Sequence, residues 1–461
     1  MMRARLSLMG AAAAMALLGA TAPGLAQTLE ETLALTYTSN PTLQAERARL
    51  RGTQEGVVQA RSARLPSVSA NASITRQSVE SSRIIDPALP PIVSDSDATP
   101  KNYSLTANQS VYRGGRTSGA INQADALALA GYENLRTTEQ AVFIDAISAF
   151  MDVRRDMEVV NIRRNNVEVL SRQLDAARDR FEVGEITRTD VAQAEARLSG
   201  ARAQFSAAQS QLAASRAAYE RVVGQSPTGL SEPPELLDLP DELADAAEIA
   251  FANNPQILAA QYNEEAARFG VQVARGALRP EVSLSATARS ARDSSFAGDE
   301  TDSTSITANV SVPIFTGGLN RSRVRAALAS EEQARFGVRN ARRQVTEGLT
   351  NAWNNYQSSL AVIESSEQAV RANEIALDGV QQEAFVGIRT TLDVLDAEQE
   401  LLESRLTLVT AERDSYVAGF RLLQAMGVLS PETFGLDPVL VEIEGDSWGP
   451  SFPNLDLTPW N

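Results

Sequence analysis

The chain of 461 residues has no cysteine, no histidine, one lysine and an aromatic fraction of only 5%. Without cysteine there is neither a disulfide framework nor an acylated N-terminal cysteine. The absence of histidine leaves no zinc site and no histidine-based acid–base catalysis. A formal charge of −16 supplies no basic footprint for a phosphate backbone, so nucleic acid is excluded as a partner. Beyond residue 26 no apolar run reaches the roughly 18 residues of a helical membrane span. Few aromatics and much Ala, Gln, Glu and Arg favour long helices over one thick globular core.

The first 26 residues have the layout of a secretory signal. Arg3 and Arg5 precede an apolar run from Leu6 to Ala20, and Gly24 and Ala26 supply small residues before Gln27. Removing residues 1–26 takes the charge from −16 to −18, and the mature protein is expected to leave the cytoplasm.

The remainder is an internal duplication. Val183 to Leu198 and Val386 to Leu401 share eight of sixteen residues, including Gly184 with Gly387, Thr187 with Thr390, and Asp190 with Asp393. Each stretch lies between two long helical runs, with a glycine where the chain reverses and Thr-x-x-Asp where a helix restarts. Both are predicted to be tips of helical hairpins. Asn40-Pro41 recurs as Asn254-Pro255, a helix-start signal in which Asn caps and Pro takes the first helical position. Gly114 to Gly224 aligns without gaps to Gly317 to Gly427. The predicted organisation is a signal at 1–26, a first repeat at 27–227, a second at 228–431, and a C-terminal equatorial segment at 432–461.

Each repeat holds two stretches with apolar and polar residues in alternation: about 67–76 and 103–112, then about 281–290 and 305–314. Val68, Ala70, Ala72 and Ile74 take turns with serines and Asn71, and Val282, Leu284, Ala286 and Ala288 do so in the second copy. About ten residues is the length of a tilted strand crossing a bilayer in a barrel with a wet interior. Between these strands, Gln77 to Asn102 and Arg292 to Thr304 read as long outer loops, the first containing Lys101, the one lysine. Tyr112 and Phe315 stand at the far end of each pair, where an aromatic meets the lipid boundary.

Long helices are predicted at about 117–181 and 320–384, with returning helices at about 188–222 and 391–425. The returning helices are too short to match the long ones, and the shortfall nearly equals the helix after each Asn-Pro, so two shorter helices can lie end to end beside a long one. Val191, Leu198, Phe205, Leu212 and Tyr219 recur every seven residues, with Ala194, Ala201, Ala208, Ser215 and Val222 three positions later. This is a coiled-coil seam of large against small side chains. In the second copy the size pattern is lost at Ser415.

In this order and spacing, the chain resembles the TolC family of outer-membrane efflux and type I secretion proteins over essentially its whole mature length. The duplicated repeat, the Asn-Pro pairs, the Pro before each first strand, the Gly-Gly after each second strand and Gly-x-x-Thr-x-x-Asp-Val at each tip carry the resemblance. It implies an α+β membrane protein in which duplicated long coiled helical hairpins form an α-barrel tunnel in the periplasm. Four amphipathic strands per subunit would contribute to a shared 12-stranded outer-membrane β-barrel in contact with outer-membrane lipid. The subunit would act as a homotrimer, with a periplasmic adaptor (membrane fusion) protein and an inner-membrane transporter of ABC or RND type as partners. Asp393 and Asp396 match the family's pore aspartates, Arg389 matches a tip arginine of the closing contacts, and an aromatic used by some members corresponds to Ala384, beside Phe385.

Two readings of the tip acids stand side by side. Asp190 and Asp393 have the spacing of a capping box with Thr187 and Thr390, and an acid in the first turn also favours the helix dipole. Asp396 lies beyond the cap, shares a helical face with Asp393, and has Gln193 as its counterpart. In a trimer the pair would bring six carboxylates to one constriction, which selects cations. No nucleophile and base pair, metal cluster or phosphate loop suggests an enzyme, and no cofactor is implied. The expected function is a passive exit duct gated at the periplasmic tips; the alternative is a structural coiled-coil envelope protein without channel activity.

Overall fold

The computed structural model describes residues 27–84, 92–234, 239–294 and 298–436. The signal expected at 1–26, the tip of the first outer loop at 85–91 and residues 437–461 of the C-terminal segment lie outside the described residues. Helices α1 (Leu29–Ser39) and α2 (Pro41–Ser62) precede strands β1 (Ser67–Ile74), β2 (Gln77–Arg83), β3 (Ile92–Ala98) and β4 (Lys101–Tyr112). The long α3 (Arg116–Glu182) and its return α4 (Arg188–Val223) follow. The order then recurs as α5 (Leu243–Asn253), α6 (Pro255–Gly276), β5 (Glu281–Arg292), β6 (Glu300–Ser311), α7 (Leu319–Phe385) and α8 (Thr391–Met426). These elements fall into two compact units. One is built from α1, the part of α3 from Ala146 onward, and α4; the other holds the remaining elements.

In the larger unit an antiparallel sheet runs in the order β1-β4-β5-β6. Its register places Val68, Ala107, Ala286 and Ile306 in one cross-strand row and Ser69, Thr106, Thr287 and Ser305 in the next. Because side chains alternate across the pleat, the first kind of row forms an apolar face and the second a face of serine, threonine and asparagine. Thr106 and Thr287, on the polar face, bring their hydroxyls to 3.4 Å. The apolar face is bare: Val68, Ile74, Leu105, Ile306 and Val310 are all exposed. A bulge at Val111 keeps Ser110 opposite Ser283 and puts Tyr112 opposite Val282, so the aromatic returns to the apolar face.

The first predicted outer loop is not irregular throughout. Gln77–Arg83 pairs with Ile92–Ala98 as a separate antiparallel hairpin, which the alternation criterion missed because β2 carries polar residues on both faces. The second predicted loop is shorter than expected, since β5 and β6 are twelve residues each and leave only residues 293–299 between them. Phe315 lies beyond β6 and is 88% exposed.

The 67 residues of α7 rise by roughly 100 Å. Both α8 and α6 pack along it, and they meet end to end. The left-handed Gly427 after α8 abuts the backbone of Asn253 and Asn254, where a side chain at 427 would come within 2.5 Å of the Asn254 Cα. Asn254 caps α6 by accepting from the Gln256 N–H at 3.0 Å, and its own Nδ2 donates to the Ala425 carbonyl at 2.9 Å. Around this joint Ala250, Ile257, Val345, Leu349, Leu422 and Met426 form a buried cluster. A 3-10 turn at Pro431–Phe434 follows, and Phe434 lies on Phe143 and Phe420 at ring separations of 5.7 and 6.1 Å.

The sheet is joined to the helices by glycine contacts and ion pairs. Gly114 and Gly276 touch closely enough that neither tolerates a Cβ. Glu281, at the start of β5, receives Arg113 at 3.1 Å and Arg116 at 2.6 Å.

In the smaller unit the small-residue line of the seam, Ala194, Ala201, Ala208, Ser215 and Val222, is buried throughout. Leu198 and Tyr219 are buried with it. The Tyr219 hydroxyl meets that of Thr32 at 3.0 Å, and the Ser215 hydroxyl donates to the buried Asp156, which also pairs with Arg155 at 2.8 Å. On α8 the seam continues past the position where its size pattern fails: Ser415 is 4% exposed and Leu422 fully buried.

Candidate functional site

Both hairpin tips are built by the same local rules. After α3, Gly184 adopts φ +81°, its N–H donates to the Phe181 carbonyl at 3.0 Å, and the Glu185 N–H donates to the Arg180 carbonyl at 2.9 Å. At the end of α7, Gly387 has the same φ of +81°, with matching bonds to Ala384 at 3.1 Å and from Ile388 to Glu383 at 2.9 Å. This six-to-one and inner bond pattern closes a helix C-terminus around a left-handed residue, and glycine takes that conformation without a Cβ clash.

Helix restart uses Thr187 and Thr390. Thr187 donates through its N–H and its hydroxyl to Asp190 Oδ2, both at 2.8 Å, and its Oγ1 accepts from the Asp190 N–H at 3.3 Å. Thr390 and Asp393 repeat the three bonds at 2.8, 2.8 and 3.3 Å. Both are complete capping boxes. The Thr187 N–H and then its hydroxyl hold the Asp190 carboxyl below the usual carboxylate range, and Thr390 does the same for Asp393. Both acids are therefore charged at any pH near neutrality.

Arg389 is held at 2.9 Å by Glu383, whose hydrogen bond raises the guanidinium further, while Asp393 contributes only a longer-range attraction. At the first tip an ion pair of reversed charge order runs from Arg180, the counterpart of Glu383, to Glu185 at 3.1 Å. Asp396 is exposed on α8, one turn beyond the box. Around these acids the tip is apolar and bare: Phe385 is 93% exposed, with Val386 and Ile388 also in the open. Phe181 and Val183 are likewise exposed at the first tip.

The sequence reading missed the polar rungs that tie each hairpin together. Arg178 reaches Glu195 at 2.5 Å, Arg405 reaches Glu374 at 2.8 Å, and Asn373 donates to Ser404 at 2.5 Å. The signal was available. Arg178 and Glu195 are equidistant from the point between Ile186 and Thr187, and Glu374 and Arg405 from the equivalent point between Arg389 and Thr390. In an antiparallel hairpin such residues face each other.

The arrangement has no reacting group. It offers two neighbouring acids on one helix start, one fixed by its cap and one exposed a turn farther along, on hairpin ends whose apolar residues are exposed among the described residues.

The family model described as outer membrane efflux protein matches the chain twice, at residues 33–225 and 246–428. The outer membrane efflux protein BepC of Brucella suis biovar 1 is 34% identical over 430 residues, covering 92% of this chain and 91% of that protein. The outer membrane protein TolC of Vibrio cholerae is 26% identical, covering 74% of this chain and 81% of its own length. Among solved structures, the outer membrane protein VceC of Vibrio cholerae superposes with a TM-score of 0.73 at 23% identity, covering 87% of this chain and 96% of that one.

Proposed function

The chain belongs to the outer membrane efflux protein family, and from that membership we propose that three copies assemble into a passive exit duct gated at the helical tips. It is an outer-membrane channel protein, not an enzyme, with its helices in the periplasm. The observation that carries the assembled duct is the sheet. Four strands cannot close on themselves, since the smallest closed membrane barrels have about eight. β1 and β6 are left as free edges, an arrangement that soluble proteins cover or blunt. The sheet has one bare apolar face for lipid and one hydroxyl-rich face for water. Edge-to-edge pairing of three copies satisfies all of these at once.

The duct supplies no energy. An inner-membrane transporter of ABC or RND type drives export, and a periplasmic adaptor couples it to the tips, where bare apolar residues and hairpin ends are available for contact. Asp393 and Asp396 from three copies line the constriction with six carboxylates. Hydrogen bonds from Thr390 favour the ionised form of Asp393, and a ring of carboxylates at the constriction makes it sensitive to pH or divalent cations. Small molecules and secreted proteins are both compatible with such a duct.

The test is single-channel recording of the purified protein in planar bilayers, for wild type and for Asp393→Ala with Asp396→Ala. Small cation-selective conductances that lose selectivity and divalent block in the double variant support the gated duct. Absence of channels from folded, detergent-extracted protein overturns it in favour of a structural coiled coil. Channels indifferent to both substitutions keep the duct and remove the acidic gate.

A further inference from the structure

The polar face of the sheet is uncharged over most of its area, and its two charges differ in kind. Glu281 stands at the helix-proximal end, neutralised by Arg113 and Arg116. Arg289 stands toward the other end, in register with Ser104 on one side and Ser303 on the other. Its guanidinium donates to the Asn102 Oδ1 at 2.7 Å, an amide and not a carboxylate. Asn102 is paired with Ala291, one step farther from the helices on the same face. The contact therefore draws the guanidinium along the strand while leaving it its charge and most of its five N–H donors. Cations on the opposite face at this end are treated differently. Lys101 has Asp293 at 3.3 Å and Arg292 has Glu300 at 2.6 Å. Among the described residues, Arg289 is the one charge of the polar face with a neutral partner.

We propose that Arg289 forms an anion-binding ring inside the assembled barrel, taking phosphate- or carboxylate-bearing solutes and setting the ion preference of the outer half of the duct. This rests on the three-copy barrel proposed above. Twelve strands about 4.8 Å apart and tilted by about 40° close at a radius of roughly 12 Å. An arginine side chain reaches roughly halfway to the axis, so the remaining gap is shorter than the Debye length of about 10 Å at 0.1 M salt. Three unneutralised guanidinium groups at one level therefore act on every ion that passes. Their planar donor forks suit phosphate and carboxylate oxygens in particular. The duct then has opposite signs at its two ends, carboxylates at the tips and guanidinium groups in the barrel.

The experiment compares full-length wild type, Arg289→Gln and Arg289→Lys in planar bilayers. It reads reversal potential under a potassium chloride gradient and the effect of inorganic pyrophosphate added on the strand side. The expected result is that Arg289→Gln shifts the permeability ratio toward cations by about threefold or more and abolishes the pyrophosphate effect, while Arg289→Lys keeps the charge-dependent preference. Channels of Arg289→Gln identical to wild type in both readouts overturn the anion ring and leave the duct standing. Absence of channels in the wild type overturns the duct itself, and the ring with it.

Discussion

Thr390 is the residue on which the state of the second tip depends, and replacing it by alanine separates capping from pore lining. The substitution removes the Oγ1 that accepts from the Asp393 N–H at 3.3 Å and the hydroxyl that donates to its carboxylate at 2.8 Å. Loss of such a cap costs about 1 kcal/mol, which is about fivefold in a local opening equilibrium. Hydrogen exchange reports that opening residue by residue and does not require the whole membrane protein to unfold. The amides of Asp393 and Val394 in Thr390→Ala should exchange about fivefold faster than in wild type, while those near Leu422 should not change. The pH dependence follows from the direction of the Asp393 shift. Its pKa is depressed in the folded tip by the bonds from Thr390. The box therefore contributes in full above the unfolded value of about 3.9 and is lost as pH falls through the lower folded value. Wild-type protection, corrected for intrinsic exchange, should be flat from pH 8 to 5 and decline only below about 4. Unchanged exchange in Thr390→Ala, or a loss of wild-type protection between pH 7 and 5, would refute the capping argument.

Gly427→Ala and Gly387→Ala meet the same left-handed backbone, at φ +77° and +81°, but only the first drives a Cβ into a neighbouring chain segment. Gly387→Ala should cost about 1–2 kcal/mol at the tip, and Gly427→Ala about 3–5 kcal/mol. Thermal melting of the helical circular dichroism signal in detergent should rank them in that order, and equal midpoints would contradict the close approach at the α8–α6 joint. Asn254→Ala removes a cap and leaves the Ala425 carbonyl without its side-chain donor, a loss of about 2 kcal/mol. Asn254→Ser should recover roughly half of that by restoring the cap alone; equal melting of the two variants would assign Asn254 no capping role.

Periodic features of this chain were legible because a repeat of 3.5 or 2 residues survives whatever the partners are. The end-to-end pairing of α8 and α6 beside α7 followed from helix lengths alone, and the faces of β1, β4, β5 and β6 followed from alternation. β2 escaped because the criterion detects a difference in polarity between faces, and Gln77, Ser81 and Arg83 on one face and Ser78, Glu80 and Ser82 on the other make both polar. Ser415 shows the converse. The size pattern failed there, yet the residue is buried, since position on the helix and not side-chain volume decides what faces the seam. At the tips, Thr-x-x-Asp spacing announced the two capping boxes correctly. It could not reveal that Arg389 turns to Glu383, because choosing between two nearby carboxylates depends on where the left-handed glycine sends the chain. Arg289 was invisible as a special residue until register showed which residues share its face.

Lys101 bears the only side-chain amine of the molecule, and it sits at the start of β4 beside Asp293, at the end of the sheet away from the long helices. Amine chemistry on this protein is thus spatially addressed by the sequence itself. A reagent that labels lysine side chains marks this end of the sheet once per chain and leaves the side chains of the hairpins untouched, so in the proposed three-copy assembly a dye pair placed there would report the spacing of the copies, with the N-terminal α-amine the one other amine to block. The same scarcity makes the hairpin surface blind to lysine cross-linkers, and its contacts with other proteins must be trapped through its carboxylates.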